Sequence, residues 1–386
     1  MTPKKQLRVA VAGGGTGGHI FPGMAIAEGI RSFITTSTRF SSVEFVFFGG
    51  RYGMENKIIP AAGYRLIPLW IKGFHRTLSL RNLLQNLIFP LRVLVANRQA
   101  RNWLTLFQPH VVVGTGGYAS ALPIRQALKL GIPVILQEQN SYPGVVTRRY
   151  AGKAKKVFLT YQEAQDYLPK TATGEVVGNP IRPKMRRQDR QIAAEFFGLS
   201  PHYTTIFIFG GSQGAHAINE HFKTHIHYYL EHFPVQFLWQ TGGQDFFHCQ
   251  QVVAGQERVH TAAFIDEMSM AYSLADVAIC RAGAMTLAEL TFFGIPAVLI
   301  PLPGAAANHQ EYNARSLEKR GAAKVQIQPE LSREKMVNAL KDLIMDRDVR
   351  EAMGRKSLSL SQPQATSIIV QTIFDTAWEY VQHSRK

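Results

Sequence analysis

Gly13-Gly14-Gly15-Thr16-Gly17-Gly18-His19 stands between the apolar run Leu7 to Ala12 and the helix-like run Phe21 to Ile34. The order reads as a strand, a glycine loop and a helix. Glycines let backbone amides come close to a ligand, and the helix aims its unpaired N–H groups and partial positive charge at the same point. Pro22 suits a first helical turn. Gly13, Gly15 and Gly18 also satisfy G-x-G-x-x-G, for which a dinucleotide reading asks for an acid closing the second strand. That strand, Val43 to Phe48, closes instead on Gly49-Gly50-Arg51. An arginine there suits a 2′-phosphate, so an NADP-dependent dehydrogenase stays open as an alternative.

Outward from this stretch the pattern recurs. His110 to Gly114 is a buried-strand run that meets Thr115-Gly116-Gly117-Tyr118, and Thr205 to Phe209 meets Gly210-Gly211-Ser212-Gln213-Gly214-Ala215. Val277 to Cys280 leads into Arg281-Ala282-Gly283-Ala284 and a helix opening at Met285. Tyr64 to Leu69, Pro133 to Leu136, Val235 to Gln240, Val259 to Ala262 and Pro296 to Ile300 complete the strand signals. Helical patterns cover Ser79 to Leu106, with Pro90 breaking or kinking it, and Ala121 to Leu130, Ile218 to Leu230, Glu334 to Met345 and Ala365 to Val381. A turn-rich segment, Gly178 to Pro183, separates two such halves. The expectation is an α/β protein of two doubly wound, Rossmann-like domains facing a cleft, with glycine loops on both sides and polar residues gathered where strands end.

Composition bounds the partners. The chain has 386 residues, 46% of them hydrophobic, enough for a large core in two or three domains. Cys249 and Cys280 are too few and too far apart for a disulfide framework or a zinc site, which suits a reducing, cytoplasmic compartment. The apolar run after Lys4-Lys5 has only strand length, and no charge-free run suits a spanning helix, so neither export nor a membrane crossing is expected. The net charge of +16 is divided unevenly: residues 1–181 hold 22 Lys and Arg against 7 Asp and Glu, and the remainder 21 against 20. Between Glu55 and Glu138 no acid occurs. An anionic surface is the expected neighbour. Trp70, Phe74 and Trp103 are too sparse among the basic residues for a nucleic-acid binder.

Six motifs in order carry a resemblance over nearly the whole chain: Gly14-Gly15-Thr16-Gly17-Gly18-His19, Gly116-Gly117-Tyr118, Glu138-Gln139-Asn140, Gly178-Asn179-Pro180-Ile181-Arg182, Gly210 to Ala215 and Arg281-Ala282-Gly283-Ala284-Met285-Thr286. The chain resembles the MurG family of peptidoglycan N-acetylglucosaminyltransferases. The resemblance implies a GT-B fold and inverting transfer of N-acetylglucosamine from UDP-GlcNAc to the C4 hydroxyl of lipid I, undecaprenyl-pyrophosphoryl-MurNAc-pentapeptide, giving lipid II. It also implies an acceptor domain of residues 1–181 plus 363–386 and a nucleotide-sugar domain of residues 182–362. A GT-B-like sugar-nucleotide epimerase is the alternative that shares these loops. Thr115 departs from the family, where a hydrophobic residue is common.

The matching positions carry the implied roles. His19 is the candidate general base, an imidazole of ordinary pKa near 6.5 suiting proton removal at neutral pH; the bland account has it fixing its loop. Glu138 and Asn140 are the fallback pair. Thr16, Gly17, Gly18 and Asn140 are implied to touch substrate. Glu289, taken as near a helix start, would accept bonds from the ribose, and the backbone of Ile265 would read uracil. Gln310 would hold sugar hydroxyls, while Arg182, Ser212 and the segment Ala284, Met285, Thr286, Leu287, Ala288 would face the leaving diphosphate. No cofactor and no metal are expected, because the only D-x-D, Asp346-Arg347-Asp348, reads as a turn between surface helices. His221, His225 and His227 read as a solvated helix face. Between Ile67 and Leu104, apolar residues from Trp70 and Ile71 to Leu91 mix with Lys72, Arg76, Arg81 and Arg92, the expected contact with anionic inner-leaflet phospholipid for a protein peripheral to the cytoplasmic face of the inner membrane.

Overall fold

The computed structural model describes residues 5–73, 87–211, 214–305 and 308–383. It divides into two compact units, Met1–Pro183 with Pro363–Lys386, and Lys184–Gln362. The first holds β1 (Lys5–Gly13), β2 (Phe40–Gly50), β3 (Arg65–Leu69), β4 (Val111–Gly116), β5 (Val134–Glu138), β6 (Lys156–Leu159) and β7 (Gly174–Val176). They pair in parallel in the order β3-β2-β1-β4-β5-β6-β7. Along β1, Leu7, Val9 and Val11 join one buried cluster and Ala10 and Ala12 another. Both faces are therefore covered, which is why the run is apolar throughout rather than alternating.

Helices Gly17–Ile34 and Ala365–His383 close one face. The second contributes Ile369, Val370, Ile373, Phe374 and Ala377, a helical spacing that puts one stripe on the sheet. The other face takes Ala96, Ala100 and Leu104 of helix Phe89–Phe107 and Leu122, Ile124 and Ala127 of helix Ala121–Lys129. Strand order reverses between β1 and β4, so the loops that follow them meet. A Cβ on Gly117 (φ 79°) would stand 2.1 Å from the carbonyl oxygen of Gly14, and only glycine permits that approach.

The second unit repeats the plan with β8 (Thr204–Phe209), β9 (Val235–Gln240), β10 (Val259–Ala262), β11 (Val277–Cys280), β12 (Ala297–Leu299) and β13 (Ala323–Val325), in the order β10-β9-β8-β11-β12-β13. The pairs are again parallel, with the reversal between β8 and β11. Each unit is a doubly wound, Rossmann-like layer structure.

Several local expectations are corrected. The first helix begins at Gly17, four residues before the apolar run, which puts Pro22 in its second turn. Pro90 lies in the first turn of helix Phe89–Phe107, where a missing N–H costs nothing, and with Leu87 helical and Ile88 a turn the helical pattern is interrupted just ahead of it, as expected. Residues 74–86, with Phe74, Arg76, Arg81 and most of the expected start of that helix, lie outside the described residues, as does Ser212. His221 does not face solvent: it is 8% exposed, within hydrogen-bond distance of the Tyr229 hydroxyl (3.2 Å), and burial, then His225, pushes its pKa down to about 4. Ile71 is 3% exposed and belongs to the core, so it leaves the surface patch.

Candidate functional site

In the first unit the polar groups collect where β1, β4 and β5 end. His19, half-buried in the first turn of its helix, brings Nδ1 within 3.0 Å of the Thr115 carbonyl oxygen and 3.1 Å of Gln139 Oε1. Both are acceptors, so Nδ1 carries the proton and donates, and the lone pair of the neutral ring is on Nε2. Gln139 is fixed in turn: its Nε2 donates to Thr115 O (3.0 Å), Gln137 O (2.8 Å) and Gln137 Oε1 (2.5 Å). Gln137 Nε2 donates to Asn179 Oδ1 (3.0 Å), and Asn179 Nδ2 to Gln139 O (3.3 Å). Gln137 and Gln139 are 1% exposed and Asn179 3%, so this is a buried network with every named amide engaged, the kind that holds a single arrangement. Gln137, Gln139 and Asn179 carry no role in the sequence reading; Gln139 and Asn179 fall in its motifs, and Gln137 lies just outside them.

Thr115 has a use at the end of β4. Its hydroxyl donates to the carbonyl oxygen of His19 at 2.7 Å and fills the space beside Gly13, where a Cβ would be 2.1 Å away. A hydrophobic residue could not make this bond. Glu138 is 3% exposed, and its carboxylate accepts from Asn140 N (3.2 Å), Asn140 Nδ2 (3.2 Å), Gly144 N (2.9 Å) and the Thr147 hydroxyl (2.6 Å). Those donors make it the organiser of the segment after β5, with Asn140 held against it. Thr16 and Gly18 are exposed at the start of the 18-residue helix, and Thr16 caps it through its backbone, its carbonyl accepting from His19 N and Ile20 N. The glycine loop is not open throughout to an outside anion, however, because Gly15 N donates to the Glu55 carboxylate.

In the second unit, helix Ala284–Phe293 starts directly after the loop that follows β11, with no side-chain cap at Gly283. Ala284 and Met285 turn their side chains into the core, so only their main chain can serve a ligand; Leu287 is buried too and its N–H donates to Gly283 O (3.0 Å), while Thr286, Ala288 and Glu289 are half-buried. Glu289 lies in the second turn, beyond the reach of the helix-end field, which corrects its reading as a helix-start acid. It is held instead by Tyr272, whose hydroxyl donates to Oε2 at 2.8 Å. Ile265 is 4% exposed, and its N–H donates to Gln240 Oε1 (2.9 Å), which leaves its carbonyl oxygen as the main-chain group for a base. Gln310 Oε1 accepts from Leu302 N (2.9 Å), so its –NH2 is the end it can offer a sugar hydroxyl. Arg281, which opens the motif Arg281 to Thr286, is 8% exposed. It donates to Ile300 O (3.0 Å), Pro301 O (3.2 Å) and Gln328 Oε1 (2.6 Å), tying the end of β11 to that of β12. Arg182 is half-buried and falls in the first unit.

Among the described residues no group of three or more His, Cys, Asp or Glu is placed to hold a metal ion. Asp346 of the D-x-D caps helix Arg347–Ser359, accepting from Asp348 N (2.9 Å) and Val349 N (3.1 Å). No helix among these residues is long and apolar enough to cross a membrane. Helix Phe89–Phe107 and the two residues before it do carry an outward apolar set: Leu87 is 71% exposed, Ile88 42%, Leu91 54% and Leu94 67%, with Arg98 and Arg101 exposed farther along.

Residues 9–159 match the glycosyltransferase family 28 N-terminal domain and residues 205–371 the glycosyltransferase family 28 C-terminal domain. The chain is 35% identical over 380 residues, 97% of its own length and 98% of the relative's, to the UDP-N-acetylglucosamine–N-acetylmuramyl-(pentapeptide) pyrophosphoryl-undecaprenol N-acetylglucosamine transferase of Cytophaga hutchinsonii. It is similar to the crystal structure of Acinetobacter baumannii MurG, with a TM-score of 0.71 and 27% identity over 96% of this chain and 99% of that one. The UDP-GlcNAc 2-epimerase of Neisseria meningitidis, bound to UDP-GlcNAc, matches with a TM-score of 0.62 over 96% of this chain and all of that one, at 13% identity, and so shares the fold alone.

Proposed function

Because the chain belongs to glycosyltransferase family 28, we propose that it is the transferase that moves N-acetylglucosamine from UDP-GlcNAc to lipid I in peptidoglycan synthesis. One observation carries this: the 35% identity runs over 97% of the chain, through both family halves in order, to a relative bearing that activity in its name. The epimerase alternative has only a shared fold behind it.

In the reaction the C4 hydroxyl oxygen of the acceptor attacks C1 of the sugar, the C1–O bond to UDP breaks, and the anomeric configuration inverts. His19 is the base. With Nδ1 donating to Thr115 O, its Nε2 lone pair takes the hydroxyl proton, which raises the nucleophilicity of the oxygen as it attacks. Thr16, Gly17, Gly18 and Asn140 line the acceptor's approach. Glu289 receives the ribose hydroxyls, Ile265 O the uracil N–H, and Gln310 a sugar hydroxyl. UDP departs with added negative charge, which the main-chain amides of the first helical turn, Ala284 to Thr286, with Arg182 and Ser212, stabilise without a metal; Leu287 N is already committed to Gly283 O.

The acceptor's lipid tail stays in a bilayer, and the exposed Leu87, Ile88, Leu91 and Leu94 with nearby arginines supply shallow apolar insertion plus attraction of about 1 kcal/mol per cation at an anionic surface. The protein is thus a peripheral enzyme of the cytoplasmic face of the inner membrane, reading anionic phospholipid through residues 67–104. Incubation with radiolabelled UDP-GlcNAc and a short-chain lipid I analogue tests the whole reading: label should move to the acceptor. Epimerised nucleotide sugar with unlabelled acceptor would refute it.

A further inference from the structure

Glu55 is fully buried, and its carboxylate lies inside the glycine loop. Gly15 N donates to both oxygens, at 3.2 and 3.1 Å, and Gly50 N to Oε1 at 2.7 Å. Three glycines make the room. A Cβ on Gly14 would stand 2.6 Å from Oε1, one on Gly49 2.6 Å from Cγ, and one on Gly53 1.9 Å from Oε2. The Tyr118 ring closes over Gly15, where a Cβ would meet Cε1 at 2.9 Å, and its hydroxyl is held above its ordinary pKa by burial and then by the Glu55 charge. A carboxylate out of water persists only when donors surround it, and here the donors are main-chain amides from the ends of β1 and β2. The concavity that a glycine-rich loop offers to a phosphate is at Gly15 already filled by the protein's own anion.

We propose that Glu55 is a positioning residue for the transfer: an internal anion that locks the loop 13–18 and, through it, the imidazole of His19. The coupling is short. Gly15 leads into Thr16, whose carbonyl accepts from His19 N (3.1 Å) and Ile20 N (3.2 Å), so loop and helix start form one hydrogen-bonded piece. The His19 ring is gripped from the opposite side by Thr115 O and Gln139. Without the carboxylate, the amides of Gly15 and Gly50 lose their acceptor, and a run with five glycines in six positions regains its conformational freedom. Nε2 then no longer meets the acceptor hydroxyl in one place.

This inference rests on the reading of His19 as the base, and the experiment separates the two. Glu55→Ala removes the anion; Glu55→Gln keeps its shape and one acceptor oxygen but sets an –NH2 against an N–H. With both substrates saturating, kcat should fall about 10²-fold in Glu55→Ala and roughly tenfold in Glu55→Gln, the scale of a misplaced catalytic group. Calorimetric affinity for UDP, a property of the second unit, should stay within about twofold of wild type on the same grounds. Hydrogen exchange should show lost protection at residues 13–18, and ¹⁵N shifts should show His19 leaving its single Nδ1–H tautomer, a change that general loss of stability does not produce in the folded protein. A folded Glu55→Ala with normal kcat and an unmixed tautomer overturns the inference, provided His19→Ala is impaired. If His19→Ala itself has normal kcat, the base assignment falls instead. Should Glu55→Ala not fold, the isosteric Glu55→Gln makes the same comparison.

Discussion

Changing Tyr272 to Phe removes a single oxygen and probes how the second unit prepares Glu289 for ribose. Tyr272 is 2% exposed, with its ring 5.8 Å from that of Phe207, 5.9 Å from Phe209 and 5.2 Å from Phe293. A phenyl ring keeps this packing, so the melting temperature should stay near wild type. What disappears is the 2.8 Å bond to Glu289 Oε2. A hydrogen bond to a charged acceptor contributes about 1.5–3 kcal/mol, and because Glu289 is only half-buried, water takes over part of the role. The lower end applies, about 1.5 kcal/mol, or roughly tenfold in donor affinity. Titration calorimetry with UDP-GlcNAc should show that rise in Kd, with kcat at saturating donor unchanged. In a Glu289→Ala background the same change should add less than about 0.5 kcal/mol, because the two side chains act as one. Wild-type affinity in Tyr272→Phe, or a full additional loss in the double variant, would refute the reasoning.

Stability should fall as pH drops from about 6.5 toward 4. His110, whose Nδ1 accepts from Arg8 N, and His221 both have pKa values pushed down to about 4, by burial first and then by Arg8 and Lys5 at His110 and by His225 at His221. The folded protein therefore binds fewer protons than the unfolded chain below pH 6.5; the stability is full above that value and is lost on the way to 4, by roughly 3 kcal/mol at most for His221. Urea titrations of His221→Gln should show a shallower slope over this window; an identical slope would contradict the assignment. Leu91→Glu with Leu94→Glu should release the protein from anionic vesicles in a sedimentation assay while its melting temperature stays put, and binding that persists would return that surface to an ordinary solvated face. EDTA should leave most of the transferase activity, since the Asp346 carboxylate is committed to a helix cap; activity recovered only with added Mg²⁺ or Mn²⁺ would argue the reverse.

What the amino-acid order revealed was set by length and by locality. β1, β4 and β8 are apolar runs ending in glycine loops, and such runs announce themselves. β6, β7 and β13 are too short to show a period and carry Lys156, Glu175 and Lys324 within three or four residues, so none was foreseen, whereas β11 and β12, equally short, are wholly apolar. The helices Arg190–Phe197 and Met268–Leu274 were missed for the same reason. His221 was misplaced because a histidine counts as polar in any helical pattern, whereas the fold supplies Tyr229 as its partner. The candidate residues themselves came from the family resemblance. Their supports could not be read that way, because Gln139 acts on His19 across 120 positions, Tyr272 on Glu289 across 17 and Glu55 on Gly15 across 40. Such pairs exist only once the sheets bring them together.

Helix Ala365–His383 gives the first unit a gap in its own chain. On a ribosome, residues 1–183 emerge about 180 positions before the helix that seals one side of their sheet. At roughly 5–20 residues per second, that side, with Leu7, Val9, Phe45 and Phe47, waits on the order of 10 to 40 seconds for the second of its two covering helices. The nascent first unit thus keeps part of that side open until residues 365–383 have been made, and a stop codon anywhere before 365 leaves it with helix Gly17–Ile34 alone there. A circular permutant that begins at Pro363 and runs on into Lys5 would deliver cover and sheet together, and so mature faster and aggregate less.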